Sequence, residues 1–187
     1  MKYYKLLYDY EKDDSYINCN VGKIGKLDRY DVSKGILITN WEKPIFQYDS
    51  LEGAVLSDYV ANVYSWFIVS KTFFDMTYHI LSENVQYLPV TIEDAVSGEK
   101  NYECQLINIT KVLDAFDMDN SEFDIFELDD EKIISVRKYA LKRSVIGDND
   151  IFRLKGDTIP IFVSERVKSI IENNKLSGFD FLEVKVF

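Results

Sequence analysis

The C-terminal residues 151–187 constrain the fold more than any other stretch, because they follow a strand–turn–strand–helix–strand pattern. Residues 159–163 form a short apolar run that favours a β-strand. Ser164 follows as a helix N-cap, and apolar residues at helical spacing then predict a helix with one inward face. Gly178 suits the left-handed conformation that ends many helices, and residues 179–187 resume a strand. The side chains expected to be largely buried are Val163, Val167, Ile170, Ile171 and Phe181.

The same pattern occurs 94 positions earlier in the chain. Residues 67–70 (FIVS) correspond to residues 161–164 (IFVS), and Ser70 is the matching N-cap of a helix predicted over 71–81. Four residues are identical to their counterparts at this offset: Val69, Ser70, Leu88 and Val90. Two alternatives stay open, an internal duplication and a chance likeness between two ordinary strand–helix–strand units.

Composition excludes several classes of function. The chain has 187 residues, 47% of them hydrophobic, which suits a single domain with a sizeable core. Its formal net charge of -10 argues against binding to nucleic acid or an anionic membrane, since both need a basic patch. The most apolar stretch, residues 55–80, contains charged and polar residues and is no membrane span. Cys19 and Cys104 are isolated, as in a reducing cytoplasmic setting, and the N-terminus lacks the apolar core of a signal peptide.

The remaining segments predict an α+β fold with a mixed or mainly antiparallel sheet and a few short helices. Further strands are predicted over residues 2–9, 35–39, 85–93 and 102–112, the last two joined as an antiparallel hairpin. Residues 51–65 carry apolar residues at spacings that suit a helix.

Residues 114–131 are the most unusual segment, with nine acidic residues, no basic residue and interleaved aromatic and aliphatic side chains. One interpretation is a partly buried edge with a solvated acidic face, and the other is an acidic surface for a basic partner. The spacing from Asp117 fails as a calcium loop, because Glu122 and Leu128 occupy positions six and twelve. The candidate partner-binding residues are Asp117, Asp119, Glu122, Asp124, Glu127 and Asp129.

Residues for catalysis are scarce, so we expect no enzyme and no cofactor. His79 is the only histidine, and no GxSxG motif accompanies it. The Gly-Lys pairs at 22–23 and 25–26 lack the spacing of a phosphate-binding loop and are interpreted as turns. A small metal-dependent or hydrolytic enzyme that uses the acidic segment remains an alternative, as does an interaction module of a larger assembly.

Several sequence blocks follow one another in the order of a known family. They are FIVSKTFFDM, VQYLPVTI, LINITKVLDAFDMDNSEF, FRLKG, FVSERVKSIIE and LSGFDFLEV. Over residues 58–187 the chain resembles the immunity-eleven family of bacterial polymorphic-toxin systems, whereas residues 1–57 match poorly. The resemblance implies a cytoplasmic, non-catalytic protein that binds and neutralises a cognate toxin. A basic nuclease is one candidate for that toxin.

Overall fold

The computed structural model describes residues 1–10, 15–128 and 131–187. The described helices are α1 (Lys71–Leu81), α2 (Arg143–Ile146) and α3 (Glu165–Asn173), with a 3-10 helix at Asp31–Ser33. The described strands are β1 (Tyr3–Tyr8), β2 (Asn18–Lys23), β3 (Ile45–Tyr48), β4 (Tyr59–Asn62), β5 (Ile68–Val69), β6 (Val85–Pro89), β7 (Thr91–Asp94), β8 (Lys100–Asn101), β9 (Gln105–Ile109), β10 (Val112–Leu113), β11 (Glu122–Leu128), β12 (Glu131–Lys138), β13 (Ala140–Leu141), β14 (Ile151–Leu154), β15 (Asp157–Ser164) and β16 (Phe179–Val186). The structure is mostly β-sheet with short helices, which agrees with an α+β fold.

The strands form two large mixed sheets and one two-stranded ribbon. The six-stranded sheet has the order β10–β14–β15–β1–β16–β13, and the eight-stranded sheet has the order β6–β9–β5–β4–β2–β3–β7–β8. Both sheets contain parallel and antiparallel pairs. Strands β11 and β12 pair antiparallel as a separate two-stranded sheet, called the β11–β12 ribbon below. None of the described helices is long and apolar enough to cross a membrane.

The two units noted in the sequence have the same strand arrangement. Strands β5 and β6 flank β9, and β15 and β16 flank β1, with the central strand antiparallel to both neighbours in each case. Each is therefore a split β-α-β unit, in which a strand from elsewhere in the chain lies between the two parallel strands. The register also keeps the offset of 94 residues. Val69 and Pro89 face Gln105, while Val163 and Glu183 face Tyr4. Whether the two units arose by duplication stays a prediction.

Helices α1 and α3 each begin after a serine that is hydrogen-bonded to an aspartate. Ser70 accepts a hydrogen bond from the third residue of α1, and Ser164 does the same for α3. The hydroxyl of Ser70 donates to the carboxylate of Asp58, and that of Ser164 donates to the carboxylate of Asp150. The backbone N–H of each serine also donates to the carbonyl oxygen of the same aspartate. The predicted N-caps are therefore confirmed, and each also ties its helix to another segment.

One hydrophobic core connects the helices with both sheets. Phe73 of α1 stacks on Phe179 of β16 with ring centroids 5.2 Å apart. Val167 and Ile171 of α3 are buried in the same cluster as Val69 of the eight-stranded sheet and Val163 of the six-stranded sheet. The opposite face of the six-stranded sheet carries a second cluster that includes Tyr3, Phe152 and Phe162. Alternate residues of β1, β14 and β15 thus pack on opposite faces, as strand geometry requires.

Some predicted elements are wrong. Residues 35–39 form no strand, and the neighbouring strand is β3. Residues 51–65 contain β4 rather than a helix. Helix α3 ends at Asn173, so Gly178 is not its C-terminal residue. Gly178 directly precedes β16 and has a positive φ of 83°. Ile170 is only partly buried, because the inward face of α3 is centred on Val167 and Ile171, and Phe181 of β16 is also only partly buried.

Candidate partner-binding surface

The acidic segment divides into a buried base and the β11–β12 ribbon. Ala115 and Phe116 at its start pack in the cluster on the outer face of the six-stranded sheet. The ring of Phe116 lies 5.8 Å from that of Phe123, which joins the ribbon to this base. Phe116 and Phe123 therefore anchor the acidic run to the six-stranded sheet.

Asp117 has a local structural role. It is buried, and its carboxylate accepts hydrogen bonds from the backbone N–H of Asp119 at 3.2 Å and from the side-chain amide of Asn120 at 2.8 Å. Its own N–H donates to the carbonyl oxygen of Ala140 at 2.9 Å. A carboxylate held in this way stabilises a turn and has little surface to offer a partner.

Two other candidate carboxylates form ion pairs across the ribbon. Glu122 lies 2.8 Å from the ammonium of Lys138, and Asp124 lies 3.3 Å from the guanidinium of Arg137. The hydrogen bond from Lys138 lowers the pKa of Glu122. Exposed pairs of this kind contribute little to stability, because solvent and salt screen them. Their main effect is to place basic groups beside the acidic ones.

The other candidate residues differ in position. Asp119 and Glu127 are exposed. Asp129 lies outside the described residues. The sequence did not reveal that basic residues of β12 would pair with the acidic run. The alternating residues 132–141, which include Arg137 and Lys138, were the signal for a second strand with basic side chains. The five described candidates thus form no uniform acidic face.

Large apolar side chains are exposed on both faces of the ribbon. Ile125 is 53% exposed and lies opposite Ile134, which is also exposed, on one face. Phe126 is 55% exposed on the other face, since successive residues of a strand point to opposite sides. Met118 adds a further exposed side chain near the base. Exposed apolar residues bordered by charges are typical of protein interaction sites.

The residues considered for catalysis are either exposed, buried in the core or used in helix caps. His79 is exposed on α1. Both cysteines are buried, and burial raises the pKa of each thiol to about 12, which disfavours the reactive thiolate. Ser70 and Ser164 use their hydroxyls in the capping contacts described above. Among the described residues, no group of three or more His, Cys, Asp or Glu side chains is arranged to hold a metal ion.

Comparison with known proteins gives one match to a family model. The model describes an immunity protein family, Imm11, and it matches residues 12–186. The match extends well into the N-terminal part that the sequence resemblance left out, which agrees with the place of β2 and β3 in the eight-stranded sheet. No curated protein matches the chain.

Proposed function

Because the chain belongs to the Imm11 immunity protein family, we propose that it binds a cognate bacterial toxin and neutralises it by occupying the toxin's surface, without catalysis of its own. Family membership supports a role in toxin immunity. The mode of action is supported by the burial of both cysteines and by the use of the Ser70 and Ser164 hydroxyls in helix caps. A protein that blocks its partner by contact needs a stable, exposed recognition surface and no reactive group.

The observation that carries the proposed mode of binding is the β11–β12 ribbon. It stands apart from the two large sheets and exposes Ile125, Phe126 and Ile134 between acidic and basic side chains. Aliphatic and aromatic side chains that become buried at an interface supply much of its binding free energy, while charged neighbours provide specificity. We infer that the exposed apolar residues of the ribbon anchor the toxin.

The acidic residues contribute mainly to the rate of encounter. The net charge of -10 favours a basic toxin, for example a nuclease, because complementary charges steer association. Asp119, Glu122 and Glu127 are exposed, but Glu122 already forms an ion pair with Lys138, so Asp119 and Glu127 are the most suitable of the described candidates. Asp119→Lys should slow association and reduce its salt dependence, whereas Asp117→Asn should act through local stability. Equal association rates for Asp119→Lys and the parent at low and high salt would remove this residue from the steering surface.

The site of action that we propose is the cytoplasm. Two free cysteines buried in the core are compatible with a reducing compartment, where thiols persist. Their positions in one core cluster give them a packing role.

The test requires the toxin encoded next to this protein. The double variant Ile125→Ser/Phe126→Ser should fold normally, because both side chains are exposed, yet bind the toxin at least about 30-fold more weakly. Affinity is measured by calorimetry, and protection by growth of cells that express the toxin. Leu51→Ser/Val96→Ser is the matched control, since it removes two exposed apolar side chains elsewhere.

Two results would contradict the proposal at different levels. If the parent protein neither binds the adjoining toxin nor protects cells, the proposed function is wrong. If the parent protects and the ribbon variant protects equally well with unchanged affinity, the function stands and the ribbon is not the anchoring surface.

A further inference from the structure

A surface cavity lies where the 3-10 helix, the β4–β5 turn and the β14–β15 hairpin meet, and none of its described lining residues belongs to the β11–β12 ribbon. Its volume is about 240 Å³. Exposed residues, among them Arg29, Tyr30 and Ile159, form its mouth, while Trp66 and Arg153 are buried in its wall. The cavity is small for a drug-sized ligand or a nucleotide and suits a single side chain.

Arg153 is the unusual group in this wall. It is 4% exposed, and its neighbours in β14 are fully buried. One terminal nitrogen of the guanidinium donates to the carbonyl oxygens of Thr158 and Ile159, both at 2.6 Å. The other reaches the carbonyl oxygen of Val32 at 3.5 Å, and Nε has no hydrogen-bond partner among the residues that the structure describes. Within the described part of the chain, no carboxylate forms an ion pair with this cation.

The electrostatic consequence is an excess of buried positive charge. Burial lowers the pKa of Arg153 to about 10, which reflects the loss of hydration of a cation that lacks a counter-charge. Carbonyl dipoles offset this only in part, because a buried charge normally requires an opposite charge and saturated hydrogen bonds. A guanidinium is shaped to bind a planar carboxylate through parallel hydrogen bonds.

The mouth of the cavity has the character of a protein interface. Tyr30 is 50% exposed, Val63 is 54% exposed and Ile159 is 70% exposed. Arg29 lies over the ring of Tyr30, with its guanidinium carbon 4.5 Å from the ring centroid, and so adds a second cation at the entrance. Tyrosine and arginine around a pocket are typical of residues that dominate binding between proteins. A strongly hydrated free ion would gain little from such an apolar rim.

We propose that this cavity receives an acidic side chain, glutamate or aspartate, of a protein partner, and that the carboxylate pairs with Arg153. The inference rests on the proposed function in one respect, since the partner would be the cognate toxin. It assigns a second contact surface, with charge opposite to that of the acidic segment.

The subsite can be tested on the isolated protein without any toxin. N-acetyl-glutamate N-methylamide is titrated at constant ionic strength while NMR follows the Nε–H signal of Arg153 and the indole N–H of Trp66, which donates to the carbonyl oxygen of Arg29. We expect saturable shifts at millimolar concentrations. The neutral glutamine analogue should bind at least about tenfold more weakly, because it cannot neutralise the guanidinium.

Variants separate the subsite from general effects. Arg153→Met keeps a long apolar side chain and should abolish the preference for glutamate over glutamine at the Trp66 signal. If this variant does not fold, Ile159→Glu is used instead, because that residue is exposed and the new carboxylate repels the ligand at the mouth. Leu51→Glu, at a residue 84% exposed and outside the cavity, is the matched control and should bind like the parent.

Each outcome decides the proposal. Equal shifts with the glutamate and glutamine compounds overturn it, and so does saturation by acetate or phosphate at the same concentrations, which would indicate a free-anion site. Cell protection is measured in parallel. Protection by the parent without a glutamate preference refutes the subsite alone, whereas a glutamate preference without protection or toxin binding refutes the proposed function.

Discussion

The two serine caps differ in what remains when the hydroxyl is removed, and this difference predicts unequal losses of stability. Ser164→Ala removes the acceptor for the N–H of Val167 and the hydroxyl that donates to Asp150. Asp150 is buried, and its remaining side-chain partner is Arg166 at 3.4 Å. Loss of the cap costs about 1 kcal/mol, and a buried carboxylate that loses its donor adds about 1–3 kcal/mol. The expected loss is therefore about 2–4 kcal/mol.

The corresponding change at the first unit, Ser70→Ala, should cost less. The carboxylate of Asp58 keeps two other donors, the backbone N–H of Ser177 at 2.9 Å and its hydroxyl at 3.1 Å. The expected loss is about 1–2 kcal/mol, because the cap is lost while the carboxylate stays hydrogen-bonded.

Urea unfolding followed by tryptophan fluorescence measures both variants. The midpoints give the free energies provided that the denaturant slope is unchanged. Each variant serves as the control for the other, since both remove one hydroxyl from an equivalent cap. A loss of stability for Ser70→Ala that equals or exceeds the loss for Ser164→Ala would refute the argument that the remaining donors to the aspartate determine the loss.

Three further predictions concern stability. Gly178→Ala should cost more than about 2 kcal/mol in urea unfolding, because φ is positive and a Cβ would lie 2.6 Å from a backbone oxygen; Gly156→Ala, with positive φ and open space, should cost about 1 kcal/mol. Ile171→Ala should lower the free energy of unfolding by about 2–5 kcal/mol, and Ile170→Ala distinctly less, because Ile170 is partly exposed. Equal losses would show that the inward face of α3 is misplaced. The hydrogen bond from the Ser97 hydroxyl lowers the pKa of Asp94 to about 2. The ionised carboxylate therefore stabilises the fold above pH 4, and this stabilisation is lost as pH falls towards 2. Asp94→Asn should flatten this part of the pH–stability curve.

Local chemistry made part of the fold predictable. Residues close in sequence determine three of the predicted features. These are the serine that caps α1 or α3, the apolar positions of the strands before and after each of these two helices, and the inward stripe of α3. Capping and side-chain periodicity act over one or two turns, so a single sequence carries enough information to place these elements. The likeness of residues 67–70 to residues 161–164 was visible for the same reason, and the strand registers keep its offset.

The sequence-based predictions were wrong where the structure depends on residues that are distant in sequence. Residues 35–39 have the composition of a strand, yet the structure places none there and puts β3 further on. The acidic run appeared uncompensated until β12 placed Arg137 and Lys138 beside Asp124 and Glu122. Asp117 gave no sign in the sequence that it would turn inward.

Sequence alone determined where α1 and α3 start, which residues alternate in the C-terminal strands and which family the chain resembles. Only the tertiary structure decided that β1 lies between β15 and β16, that β9 completes the other unit, and that Arg153 is buried without a carboxylate partner among the described residues. The physical reason is distance along the chain. Pairings between remote strands and the burial of a charge depend on the packing of many segments at once, whereas a cap or an apolar stripe is set by the few residues around it.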